Sequence, residues 1–243
     1  MRARLPIVRS TWGAWLLSCA ALAASAAPTA PADLTVDAHA GAFVDSNRHE
    51  ALRRAAPDLN GRVLSLALTA SECARRAELG SEARYLAVID YSLPSTAKRF
   101  WLFDLEEGRL LASELVAHGA NTGEKHARRF SNREGSHQSS LGLFRTAETY
   151  RGKHGYSLRL DGLEQGINDR ARERAIVMHG APYVSEDFAG QHGRIGRSWG
   201  CPALSLAASS GVIDRIQGGN LLFSYYPDEA WLGSSRFLNC TAR

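Results

Sequence analysis

Two short stretches carry side chains that can do covalent chemistry together. His179-Gly180 closes an apolar run, Ala175-Ile176-Val177-Met178, that reads as a buried strand. Cys201 follows a glycine in Arg197-Ser198-Trp199-Gly200-Cys201-Pro202. A thiol nucleophile with a base beside it is what an acyl-transfer enzyme needs. Cys201 lies just before a helix expected near Ser205 to Ile216, and Pro202 suits an early helical position. A thiol there feels the positive end of the helix dipole, which favours thiolate. His179 can take the thiol proton or pair with the thiolate. Gly180 and Gly200 admit close backbone approach, so amides near Cys201 can hold an oxyanion. Ser198 can orient a backbone segment or a substrate. The competing account is a buried, inert Cys201, because free cysteines are often buried.

The other cysteines bear on that choice. They are Cys19, Cys73 and Cys240. Cys19 falls in an N-terminal stretch with the marks of an export signal: Arg2, Arg4 and Arg9, then the apolar run Trp12 to Ala23, then Ala24-Ser25-Ala26 as small residues for cleavage. The run is short of the ~20 residues of a spanning helix. The expectation is therefore a signal peptide over 1–26 and an exported mature chain, in the periplasm or cell envelope, with no transmembrane segment. An uncleaved anchor and a lipoprotein site at Cys19 are the alternatives. Three cysteines then remain in a compartment that can be oxidising. Pairing Cys73 with Cys240 leaves Cys201 as a free thiol.

The signal also carries much of the positive charge. Residues 1–26 hold three arginines and no acid, so removing them takes the formal charge from +4 to +1. A near-neutral mature chain gives no electrostatic case for nucleic acid as a partner. Metal chemistry has a weak footing. There are eight histidines but no HExxH and no CxxC. His118 and His179 both precede glycine at strand ends, so a zinc hydrolase with Cys201 or His192 as a further ligand is the rival enzyme.

The elements that must position these residues follow from hydrophobic period. Residues 27–42 are rich in Ala, Pro and Asp and read as a linker. Residues 43–80 read as a helical N-terminal segment packed on the catalytic domain, broken by Pro57 and Gly61. From 81 to 243 the period is that of strands. Candidates are Tyr85 to Tyr91, Arg99 to Asp104, Leu110 to His118, Gly142 to Thr146, Tyr156 to Leu160, Ala175 to Met178 and Leu221 to Tyr226. This predicts a mainly β fold with added helices rather than alternating βαβ. Residues 119–140 form a long loop, of the kind that makes rims and lids. Ser139-Ser140 reads as a turn, and Asn168 and Arg174 as braces for the strand leading to His179.

At this point the motifs become specific. Ile176-Val177-Met178-His179-Gly180-Ala181 and Gly196-Arg197-Ser198-Trp199-Gly200-Cys201-Pro202-Ala203 resemble the L,D-transpeptidase catalytic-domain family, also called the YkuD type. They are similar in particular to its murein subfamily with a GRSxGCPA cysteine motif. Val116 to Gly123, Phe130-Ser131-Asn132, Ser139 to Gly142, Tyr150 to Gly155 and Ser157 to Leu163 resemble the same subfamily in the same order. The resemblance covers roughly residues 83–227.

It implies a β-sandwich or barrel catalytic domain, with Cys201 as nucleophile, His179 as base, Gly180 and Gly200 around the oxyanion, and Ser198 in the motif's Ser/Thr place. It implies peptidoglycan stem peptides as substrate, attack between the L-centre of meso-diaminopimelate and D-alanine, and no metal or organic cofactor. Water as acceptor would give an L,D-carboxypeptidase instead. A non-catalytic wall-binding protein on the same fold is the alternative outside enzymology. The chain departs from the family pattern at Trp199, where a histidine is usual, and at Pro202-Ala203, where an Asn or Arg is usual. The gap of 18 residues between His179 and Ser198 is also slightly long. Arg197, or an arginine elsewhere, is then expected to take over carboxylate binding. His118, Trp199 and Tyr183 are expected to line or orient the site, or simply to pack.

Overall fold

The computed structural model describes residues 47–240. The signal and linker expectations, Cys19 and the first residues of the helical segment lie outside them. A first helix, α1, occupies 47–55, and α2 runs Gly61–Arg76. Asn60 caps α2, its side-chain oxygen accepting from the Arg62 amide at 2.8 Å. Val63, Leu64, Ala67, Ala70 and Ala74 recur at helical spacing and form its buried face.

Eight strands then make one sheet: β1 Tyr85–Asp90, β2 Phe100–Asp104, β3 Arg109–Glu114, β4 Gly142–Gly152, β5 Gly155–Gly162, β6 Val177–Gly180, β7 Ala203–Leu204 and β8 Leu221–Tyr225. Three helices are interspersed: α3 Glu186–His192, α4 Leu206–Ile216 and α5 Glu229–Ser234. The sheet order is β3-β2-β1-β8-β4-β5-β6-β7. Pairing is antiparallel except at β1–β8 and β6–β7. The chain just after β3 returns to the far edge, where the Ala117 amide donates to the Ala203 carbonyl of β7 at 2.8 Å. That bridge brings the two edges of the sheet together and nearly closes it. The fold is mainly β with added helices, as the period indicates.

Alternation along the central strands explains why they read as continuous apolar runs. Leu86 and Val88 of β1 pack with α2, Phe223 and Trp101. Ala87 and Ile89 point the other way, into a core with Phe100, Leu222, Met178 and the Val212, Ile213 and Ile216 face of α4. A strand covered on both faces has no polar side to betray its register. A third, smaller cluster of Leu115, Ala117, Ala181, Val184, Ile195 and Ala203 lies under the segments that carry the candidate chemistry.

Two expectations need correction. The strand before His179 starts at Val177, not Ala175. Ala175 adopts a left-handed conformation (φ 53°), and Ile176 closes a turn onto the Ala171 carbonyl, so β6 is shorter at its start than the apolar run and His179 is the third of its four residues. Cys201 is also not at a helix start. β7 intervenes, and Ser205 caps α4 by accepting from the Ala208 amide. Pro202 precedes a strand, so the α4 dipole does not act on the thiol at close range. Two short helices were missed. Each has a capping residue and an acidic first turn, Ser185 before Glu186-Asp187 and Asp228 before Glu229.

Cys73 on α2 and Cys240 near the C-terminus form a disulfide with Cα atoms 6.3 Å apart, and Cys201 is free. The bond ties the helical segment to the chain that follows α5. Cross-links closing long loops restrict the unfolded chain. Replacing both cysteines by alanine is expected to lower unfolding free energy by about 2–4 kcal/mol in urea titration, the range for a native disulfide. An unchanged midpoint and slope would show that the bond adds nothing to stability.

Candidate active site

The thiol is placed by the parallel pairing of β6 with β7. His179 stands opposite Ala203 in that register, and Cys201 lies two residues before Ala203. Val177, two residues before His179, donates its amide to Cys201 Sγ at 3.4 Å. The thiol in turn donates towards the Ala175 carbonyl at 3.7 Å. One short strand pair therefore carries both the Cys201 thiol and the His179 imidazole.

The turn before Cys201 is closed by hydroxyls. Ser198 Oγ accepts from the Gly200 amide at 3.1 Å and donates to the Cys201 carbonyl at 2.7 Å. Ser139 Oγ accepts from the Gly119 amide at 3.0 Å and donates to the Gly200 carbonyl at 3.1 Å. A trans peptide points its C=O and N–H in opposite directions. Holding the Gly200 carbonyl on Ser139 therefore turns the Cys201 amide away from Ser139, against its own sulfur. That is the place for an oxyanion donor. Gly200 itself has φ 121°, and a Cβ there would meet the Gln138 carbonyl at 2.7 Å. Gly200 thus contributes backbone shape, its amide being occupied by Ser198.

His179 is buried, and its Nδ1 lies 3.0 Å from the Gly180 carbonyl. A carbonyl only accepts, so Nδ1 carries the proton and Nε2 keeps its lone pair. Gly180 thus supplies a carbonyl that sets the tautomer. Burial holds the imidazole below its ordinary pKa, and the neighbouring His154 adds to this. The Cys201 thiol is pushed up by burial, against the opposing effects of the Val177 amide, Arg174 and Lys153. Both shifts favour a neutral thiol and a neutral imidazole. Of the two roles open to His179, proton acceptor fits better than partner of a standing ion pair.

The remaining expected residues divide. Trp199 is 68% exposed and stacks on His137, with ring centroids 4.8 Å apart. It forms a rim. Tyr183 packs its ring against Gly196, where a Cβ would sit 2.5 Å from that ring. Its hydroxyl is pushed up to about 12 by burial, with the nearby Cys201 adding to it. Arg197 donates to the Ala120 and Gly123 carbonyls and pairs with Glu124 at 2.6 Å. It braces the 119–124 loop rather than facing open space. His118 is buried with Nδ1 accepting from Arg99 at 2.7 Å and Nε2–H donating to the Gly123 carbonyl at 3.2 Å. Burial first, then Arg99, depresses it to about 4. Both ring nitrogens are engaged, so His118 has a structural place beside the site and no free nitrogen for a metal. Among the described residues no three His, Cys, Asp or Glu side chains gather as a ligand set.

The fold brings further groups here, with roles that the sequence does not reveal. Arg174, expected to brace β6, instead clamps the long loop through the Ser131 and Gln138 carbonyls and the Ser136 hydroxyl. Its half-buried charge favours the Cys201 thiolate. Lys153 and His154 form the two-residue tip of the β4–β5 hairpin, next to Gly155 at φ 75°. The His154 ring stacks on His179 at 4.6 Å, and Lys153 Nζ lies 5.4 Å from the Trp199 ring centre. The signal was present, in a Gly-Lys-His-Gly turn between two strand-like runs, but nothing local says where a hairpin tip lands.

A family model described as the L,D-transpeptidase catalytic domain matches residues 55–225. No curated protein matches. Solved structures that are similar include an L,D-transpeptidase from Mycobacterium smegmatis, at 16% identity over 59% of each chain with TM-score 0.36. L,D-transpeptidase 3 from Mycobacterium tuberculosis is similar at 15% identity, over 59% of this chain and 61% of that one, with TM-score 0.36. An L,D-transpeptidase from Xylanimonas cellulosilytica follows at 17% identity, over 59% and 61%, with TM-score 0.33. The chain spans about three-fifths of the length of these structures.

The neutral pair makes a prediction independent of any substrate. The rate of Cys201 alkylation by iodoacetamide is expected to rise with pH through a midpoint above the ordinary thiol value of about 8.5. A midpoint well below that value would mean a standing thiolate–imidazolium pair.

Proposed function

The chain belongs to the family of L,D-transpeptidase catalytic domains, and on that premise we propose that it transfers acyl groups between peptidoglycan stem peptides through Cys201. His179 Nε2 takes the proton of the Cys201 thiol as sulfur attacks the carbonyl between the L-centre of meso-diaminopimelate and D-alanine. The Cys201 amide meets the developing oxyanion, held in direction by Ser139 through the Gly200 carbonyl. The Nδ1–H bond to Gly180 persists as the ring becomes imidazolium, which keeps Nε2 aimed at the leaving group. Collapse of the intermediate passes that proton to the amine of D-alanine and leaves a thioester on Cys201. An amine on a neighbouring stem then attacks the thioester, with Nε2 as base again, and the thiol is released.

The observation that carries this reading is a free thiol, touched by the Val177 amide of β6, the same short strand that carries a buried imidazole whose Nδ1 proton is held by the Gly180 carbonyl. A peptidoglycan substrate lies outside the cytoplasm, which supports export of the chain.

Cys201→Ala is expected to abolish product formation in muropeptide digests followed by mass spectrometry. His179→Ala is expected to slow acylation by roughly 10²–10⁴-fold, the usual worth of a general base. Unchanged rates in either variant would remove that residue from its role. A carbapenem, whose strained carbonyl suits a thiolate in an oxyanion pocket, is expected to leave one adduct on intact protein. It should map to the peptide containing Cys201 and be absent from Cys201→Ala. An adduct on another residue would relocate the nucleophile.

A further inference from the structure

The site is ringed by cations, and they are not equally occupied. Arg197 spends its donors on Glu124 and on the Ala120 and Gly123 carbonyls. Arg174 spends its own on the Ser131 and Gln138 carbonyls and on serine hydroxyls. Lys153 is different. Among the described residues it has no ion pair and no hydrogen-bonded acceptor, and its ammonium rests near the exposed Trp199 ring. A cation–π contact orients an ammonium while leaving N–H donors for an acceptor. Trp199 is two residues from Cys201, and His154, the other residue of the same hairpin tip, lies on His179. The tip therefore spans the pair, with its cation on the cysteine side.

The segment after Cys201, where the family pattern has an Asn or Arg, is Pro202-Ala203 here, and neither side chain carries a donor. We propose that Lys153, held in place by Trp199, binds the free carboxylate at the end of the acyl donor and so selects donors whose scissile bond is the last peptide bond of the chain. Such a donor carries its carboxylate on the leaving residue, a few ångströms from the attacked carbonyl. A single ammonium suits this group because it must let go once the leaving amino acid is free. A bidentate guanidinium grips a carboxylate more firmly.

The inference rests on the reading of the site as an acyl-transfer centre, and the test separates the two. Two donors are compared, a stem tetrapeptide with a free C-terminal carboxylate and the same peptide as its carboxamide. kcat/KM is measured for the wild type, Lys153→Met and Lys153→Arg, with Cys201 alkylation as a check of the thiol. The wild type is expected to prefer the carboxylate donor by about tenfold or more, the size of one charge-assisted hydrogen bond. The preference should fall to near unity in Lys153→Met, chiefly through KM, and be kept in Lys153→Arg. A preference that survives in Lys153→Met, or that is absent from the wild type, overturns the role of Lys153. A wild type that alkylates normally yet consumes neither donor overturns the acyl-transfer reading, and the selection argument with it.

Discussion

The site depends on a close approach of two stretches of backbone in which no side chain fits. Gly119 and Gly200 face each other so tightly that a Cβ on Gly119 would meet the Gly200 backbone at 3.0 Å and the His137 carbonyl at 2.4 Å. Ala120 and Ser198 close the same seam, the Ala120 amide donating to Ser198 at 2.7 Å and the Ser198 amide to His118 at 3.0 Å. This seam fixes the turn that ends in Cys201. It also explains the buried polar groups around it. Ser139, Thr122 and His118 are each inside the protein because backbone amides and carbonyls of the seam need partners there. Arg99, wholly buried, holds the Val116 carbonyl and His118 from below.

From that seam the electrostatics follow. Drawing the thiol into the fold disfavours its anion, and drawing the imidazole in disfavours its cation. The fold places the half-buried charge of Arg174 and the amide of Val177 where they favour the thiolate once the proton has moved. A helix terminus could have served the same end, but β7 stands between Cys201 and α4. The charge is therefore supplied by side chains from a loop clamp and a hairpin tip.

Much of this was legible in the residues. The strand and helix periods gave the β-rich body and the N-terminal helices, because alternation and helical spacing are local properties of the chain. The odd cysteine count left one thiol over, and pairing Cys73 with Cys240 was one solution that made it Cys201; the structure has that pairing. Cys201 and His179 stood out by residue type and by neighbouring glycines. What was not legible is what depends on contact across the sheet. Nothing near Arg174 reveals that it reaches Gln138, and nothing in Gly-Lys-His-Gly tells that the turn lands on His179 and Trp199. Arg197 looked free in sequence because its partner, Glu124, lies 73 residues away. The start of β6 was misplaced because a left-handed Ala175 carries no composition signal.

The central claim is that Cys201 carries the acyl group between donor and acceptor. Intact-protein mass spectrometry after brief mixing with a stem tetrapeptide, quenched in acid before an amine is added, tests it most directly. The account predicts a mass gain equal to the tetrapeptide less D-alanine, located on the peptide containing Cys201 and lost on adding an acceptor amine. Release of D-alanine with no covalent species, or an acyl group on another side chain, would contradict it.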